Sequence, residues 1–163
     1  MRKLISTVLL SILIVLPATS QQQTFSFEQS ISQDIGKQVL CMAKNLYYEA
    51  AMEPYEGKLA VAQVTMNRAN HGGPFPSTVC DVVYQKTGRT YQFSWVGEKV
   101  SEVKNKYAWE ECLIVARKAL TERKLHDTIY KTQAMYYHNT SVNPAWKLKY
   151  VAKIGNHLFY TRA

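Results

Sequence analysis

The hydrophobic pattern of the chain changes character along its length, and each change marks an element. An apolar run from Leu4 to Leu16 follows the basic pair Arg2-Lys3 and is broken by Pro17. It is short for a membrane span, which takes roughly 20 residues. Ala18-Thr19-Ser20 then supplies a small-x-small cleavage signal, so residues 1–20 read as a secretory signal peptide cut after Ser20; the alternative is an uncleaved anchor. Residues 21–33 are polar and rich in Ser and Gln, a flexible lead-in. From Asp34 the apolar positions Ile35, Val39, Met42 and Leu46 recur in steps of four, three and four, which is helical spacing. Pro54 disfavours helical geometry at Glu53, so this helix should end near Met52.

Pro54 can start a second helix through "YEGKLAVAQVTMNRAN", stopped by "HGGPFP". Its face of Gly57, Ala60, Val61 and Val64 is small and permits close helix approach. Ser77 could cap a short third helix, "TVCDVVYQK". "TGRTYQFSWVG" reads as a turn at Gly88 and a short aromatic strand, and "AWEECLIVARKALTER" as an amphipathic helix. The C-terminal third turns to extended pieces, with "YVAKIGNHLFYTR" folding around Gly155-Asn156. The expectation is an α+β fold: one mainly helical domain, residues 34–163, with a small antiparallel β element.

Composition adds a direction. Twenty basic residues against twelve acidic ones give a formal charge of +8, which favours polyanionic partners. An exported protein does not usually meet nucleic acid, and no basic–aromatic nucleic-acid motif is present. The charge therefore points to the envelope, with membrane contact only through the signal segment before cleavage. Cys41, Cys80 and Cys112 are compatible with one disulfide and a thiol, or with three thiols. All three lie within helical runs rather than at a helix start, which argues against a cysteine–histidine peptidase. No zinc-type spacing occurs, so neither a metal nor another cofactor is expected.

The candidate chemistry lies in "LYYEAAMEPYEG", residues 46–57, where Glu49, Glu53 and Glu56 sit among aromatic and small side chains. At about 100° per residue, Glu49 lies about 20° from Met42 and about 60° from Leu46 around the helix axis. It belongs to the stripe this helix should bury, at its C-terminal end. Desolvation and the negative end of the helix dipole both favour the neutral acid there. A carboxylic acid kept protonated near neutral pH can give its proton to a leaving sugar oxygen. The plainer alternative is a frayed helix end with Glu49 in solvent.

Four blocks in order, "AKNLYYEAAMEPYEGKLAVAQVTMNRANHGGPFPSTVCDVVYQ", "QFSW", "VNPAW" and "IGNHLFY", resemble the cell-wall hydrolase family of the spore cortex-lytic enzymes. The resemblance runs from about Ala43 to Tyr160. It implies a fold similar to lysozyme-like lytic transglycosylases, peptidoglycan glycan strands as substrate, and an exported enzyme. It also implies that Glu49, closing the first helix in a Tyr-x-Glu-Ala context, is the catalytic acid. In the family the "TYQFSW" block lines the sugar groove, which makes Gln92 and Ser94 substrate-contact candidates, with Phe93 packing inward. Members often carry a cysteine just before this block, able to pair with the one matching Cys80; this chain has Tyr91 there, which puts that pairing in question.

From the C-terminal blocks, Tyr137 and Asn143 are the groove candidates, while Trp146 and Phe159 are expected to pack. His138 and His157 could face each other across the C-terminal sheet. Glu53 and Glu56 are candidates for a second carboxylate if the reaction is hydrolytic, although structural roles are favoured for both. The reading is thus a monomeric muramidase-type enzyme cutting the bond between N-acetylmuramic acid and N-acetylglucosamine. Its rival is a non-catalytic peptidoglycan-binding module.

Overall fold

The computed structural model describes residues 18–100 and 102–163. Helix α1 (Ala18–Ala50) is followed by α2 (Tyr55–His71), α3 (Val79–Val83), the paired strands β1 (Lys86–Thr87) and β2 (Thr90–Tyr91), and a 3-10 turn at Ser94–Gly97. Then come α4 (Lys106–Thr121), α5 (Asp127–Lys131), and strands β3 (Tyr136–Asn139), β4 (Lys149–Ile154) and β5 (His157–Thr161). This is the α+β class expected, mainly helical with two small antiparallel sheets.

The described residues from Asp34 onward form one compact unit and those up to Gln33 belong to another. The expected signal segment lies almost wholly outside the described residues. Helix α1 starts at Ala18 rather than Asp34, because no Gly or Pro interrupts residues 18–35. Residues 22–33, expected as lead-in, are helical and exposed, Phe25 and Phe27 included. No helix among the described residues is long and apolar enough to cross a membrane.

Within residues 34–163, α2 is the central element. Its small residues (Gly57, Ala60, Val61, Ala62, Val64) are all buried, so backbones can approach it from several sides. Met42, Leu46 and Ala50 of α1 and Cys112, Val115, Ala116 and Ala119 of α4 belong to the same core. Ile35, expected on the buried stripe of α1, is half exposed instead; burial begins only at the following turns of the helix.

Buried amides join the pieces. Asn45 donates to Thr65 Oγ1 and accepts from Trp95 Nε1, tying α1 to α2 and the 3-10 turn. Gln63 Oε1 accepts from the Leu125 amide, and Asn67 donates to the carbonyls of Ile129 and Ala134. A buried polar side chain must find partners or forfeit its hydration, so these amides specify where the 125–134 segment docks on α2.

Cys41 and Cys80 form a disulfide that closes a 39-residue separation between α1 and α3, while Cys112 is a buried free thiol. The pairing partner of Cys80 is therefore on α1 and not beside the "QFSW" block. In the chain-entropy picture a loop of that length contributes about 3–4 kcal/mol. The cap of α3 is Thr78, whose hydroxyl accepts from the Asp81 amide, rather than Ser77. The aromatic strand expected through Trp95 stops at Tyr91, and Ser94–Gly97 coils into a 3-10 turn that drives the Trp95 indole toward Asn45.

The second sheet has the order β3-β5-β4, with β4 and β5 joined at Gly155-Asn156 as expected. In its register Tyr137 pairs with Phe159, His138 with Leu158 and Asn139 with His157. Paired residues share a face and neighbours alternate. His138 and His157 therefore lie on opposite faces and do not confront each other: His157 points into the core, whereas His138 stacks on Tyr160 near Trp146.

Candidate active site

Glu49 is the penultimate residue of α1 and is partly buried. Several contacts fix that helix end. The Tyr47 hydroxyl accepts from the Lys104 and Asn105 amides ahead of α4. The Tyr48 ring stacks on Trp95 at 4.7 Å between centroids. A side chain on this turn consequently has a defined position despite being at a helix terminus.

Across from it, the Tyr137 hydroxyl on β3 donates to Glu49 Oε2 at 3.2 Å. Tyr137 is itself held edge-on by His157 at 5.1 Å and packed on Phe159. Burial and the neighbouring Glu49 charge push its phenol well above its ordinary value, so it stays protonated and keeps donating. Burial raises the Glu49 carboxyl; the Tyr137 hydrogen bond and the charge of Arg68 oppose this, and Glu98 adds to it. Desolvation is the largest of these effects, and the acid is held neutral to a higher pH than in water.

The two other carboxylates differ sharply. Glu53 is 7% exposed, and its Oε2 accepts from the Asn156 amide at 2.8 Å. Its main-chain carbonyl accepts from the buried Lys58 ammonium. Gly155, at φ +59°, presses so close that a Cβ there would overlap Glu53 Oε2. Glu53 Oε1 lies 3.8 Å from His157 Nδ1, beyond hydrogen-bond reach. Burial lowers the His157 pKa, so the ring is neutral at physiological pH and the contact is not an ion pair. Glu53 thus anchors the β4–β5 turn to the end of α1. Glu56 is exposed in the first turn of α2, where a carboxylate suits the helix dipole.

The remaining candidates have these places. Gln92 is exposed; its amide donates to the Gln85 carbonyl and its side chain to Thr87 Oγ1. Ser94 is exposed at the start of the 3-10 turn, with Phe93 buried beside it, and Asn143 is exposed between β3 and β4. Among the described residues no hydrogen bond joins Gln92, Ser94 or Asn143 to Glu49; Tyr137 is the candidate that the fold brings to it. Phe159 is fully buried, whereas Trp146 is 43% exposed, edge-on to Tyr136, His138 and Tyr160.

Arg68 and Glu98 were not among the candidates. Arg68 was legible in principle: the buried face Gly57, Ala60, Val61, Val64, extended by four residues, lands on it. Glu98 follows the 3-10 turn, and nothing in its local sequence sets it apart. Two cavities, of about 550 and 200 Å3, lie along α2 and are not lined by Glu49 or Tyr137. Among the described residues no cluster of three His, Cys, Asp or Glu could hold a metal.

A family model described as Cell Wall Hydrolase matches residues 52–160. The chain belongs to the cell wall hydrolase family. Glu49 itself lies three residues ahead of the matched span. The chain is 31% identical over 121 residues to the spore cortex-lytic enzyme of Oceanobacillus iheyensis, covering 72% of this chain and 39% of that protein. It is 29% identical over 121 residues to the spore cortex-lytic enzyme of Bacillus subtilis, covering 72% and 35%. The match thus spans little more than a third of each relative. Two solved structures share the fold at 28% identity. The catalytic domain of the germination-specific lytic transglycosylase SleB from Bacillus anthracis superposes with a TM-score of 0.55, covering 76% of this chain and 93% of that domain. The catalytic domain of the Bacillus cereus SleB protein gives 0.53, with 76% and 89% covered.

Proposed function

We propose that this cell wall hydrolase acts in the envelope as a lytic transglycosylase on peptidoglycan. In this reading it cuts the bond from C1 of N-acetylmuramic acid to the oxygen of N-acetylglucosamine, with Glu49 as the single acid and base. The observation that carries it is the contrast between one partly buried carboxyl, raised by desolvation and held by Tyr137, and a neighbouring carboxylate committed to a backbone amide. The likeness to SleB catalytic domains supports the same reaction class.

The steps follow from that arrangement. Neutral Glu49 gives its proton to the glycosidic oxygen as the C1–O bond breaks, and the bond pair leaves with that oxygen. The sugar left behind carries oxocarbenium character, and Glu49 is now a carboxylate that Tyr137 continues to hydrogen-bond. The muramic 6-hydroxyl then attacks C1 while its proton returns to Glu49, closing a 1,6-anhydro ring and restoring the enzyme. The substrate supplies its own nucleophile, so no second carboxylate is needed. Glu53 is unsuited to be one, because leaving the Asn156 amide would strand a buried donor. Gln92, Ser94 and Asn143 are assigned to glycan contact.

Mass spectrometry of soluble products from purified peptidoglycan tests this. Muramic ends in the 1,6-anhydro form are expected. Reducing ends, one water heavier, would establish hydrolysis instead. Absence of glycan cleavage would favour a binding module.

A further inference from the structure

Arg68 on α2 is 5% exposed, and burying a guanidinium is costly unless the charge is answered. Its Nε donates to the Met135 carbonyl at 2.7 Å. Its Cζ lies 5.5 Å from the Phe75 ring centroid, 5.3 Å from Phe93 and 5.9 Å from Tyr136. No carboxylate among the described residues forms an ion pair with it. Its Nη1 is buried and has no hydrogen-bond partner. Three aromatic faces and one carbonyl hold a cation in place and leave part of its donor capacity unused.

We propose that Arg68 is a positioning residue for the reaction: a fixed buried cation that stabilises the Glu49 carboxylate formed when the glycosidic oxygen takes its proton. The inference rests on Glu49 being the acid and base. Two separate links join them. Met135, whose carbonyl Arg68 holds, immediately precedes β3, which carries Tyr137 to Glu49. The charges of Arg68 and Glu49 also act directly on each other.

The consequence is a division of labour. Burial shifts Glu49 toward its neutral form in the resting enzyme, where Arg68 is a cation with no ion pair among the described residues. When the proton leaves, a negative charge appears within the field of that cation, in a partly buried setting where the attraction is less screened than in water. The interaction is greater after proton transfer than before, which is the condition for speeding the step rather than merely binding substrate. The other charged or titratable groups at Glu49 are Tyr137 on β3, which donates to it, and Glu98 after the 3-10 turn, which opposes its ionisation. Behind Tyr137 stands His157 on β5, with a lowered pKa.

The test uses the full chain labelled with 13C at glutamate carboxyls, with Glu49→Gln identifying the Glu49 signal. In Arg68→Met the Glu49 titration midpoint should move to higher pH. Turnover should fall on the order of 10- to 100-fold with little change in KM, and the alkaline limb of the rate profile should move up in parallel. Arg68→Lys keeps the charge, so its midpoint and limb should stay near wild type even if its melting temperature drops. Should Arg68→Met fail to fold, Arg68→Gln, which can still donate to the Met135 carbonyl, replaces it. An unmoved Glu49 midpoint in a folded neutral variant overturns the proposal, as does an equal shift in Arg68→Lys. The midpoint is read without substrate. Glycan cleavage persisting in Glu49→Gln would sink the acid–base assignment without erasing a measured coupling.

Discussion

Glu49 and Glu53 stand four residues apart where α1 ends, one partly buried and one buried, yet their partners are of opposite kinds. Glu53 meets a backbone amide, a glycine without a side chain and a lysine on its own carbonyl. Each of those contacts ties a side chain to main chain, so the carboxylate fastens the β4–β5 turn. Glu49 meets side chains only: a phenol that keeps its proton and the field of a buried arginine. Partners of this second kind leave both oxygens free of backbone hydrogen bonds and let the group change protonation without moving the fold. Burial alone does not tell the two acids apart; the nature of their partners does.

The largest effect is expected for Glu49→Gln, which keeps shape and removes the ionisable proton. Turnover of peptidoglycan should fall by about 1,000-fold or more, with the circular dichroism spectrum unchanged. Activity near wild type would leave Glu49 no chemical role. Glu53→Ala should do the reverse. Leaving the Asn156 amide short of its carboxylate partner should cost about 1–3 kcal/mol in chemical denaturation, while activity per folded molecule persists. Gly155→Ala should lose a similar amount, about 2 kcal/mol, from the left-handed backbone and the collision with Glu53.

Next in size is Tyr137→Phe, which removes the hydrogen bond favouring the Glu49 carboxylate. About a 10-fold loss of turnover is expected, with the alkaline limb of the rate profile moving to higher pH because the acid becomes harder to ionise. A limb that stays in place would show that the phenol does not act through Glu49.

The smallest effect concerns stability and pH. The folded Glu49 carboxyl is raised above its ordinary 4.5, so the stability its neutral form confers is complete below the unfolded value and is lost as pH rises through the folded one. Glu49→Gln, always neutral, should therefore melt slightly above wild type at neutral pH and lose that lead below pH 4.5. His157 has the opposite sign: its pKa is lowered, so its contribution is present above the ordinary 6.5 and disappears as pH falls through the folded value. Melting temperatures of wild type and Glu49→Gln across this range separate the two.

Much of the fold could be read from spacing. The periodic stripe of α1, the break at Pro54, the small face of α2 and the Gly155-Asn156 turn are all local patterns, and local patterns are governed by neighbours within a few residues. The same periodicity placed Glu49 on the buried side of its helix. The 3-10 turn at Ser94 was missed because its cause is distant: the Trp95 indole reaches an asparagine 50 residues earlier in the chain.

The sequence by itself determined the order of the main helices and the C-terminal turn, the family to which the chain belongs, and the position of one acid at the end of a buried stripe. Only the tertiary structure decided that Cys41 rather than a residue near Tyr91 pairs with Cys80. It alone showed that Glu53 serves a turn 103 residues away and that the Tyr137 hydroxyl donates to Glu49. The physical reason is range. Helix and turn propensities act over a few residues, whereas desolvation, charge coupling and disulfide reach depend on distances in space, which the linear order of the chain does not contain.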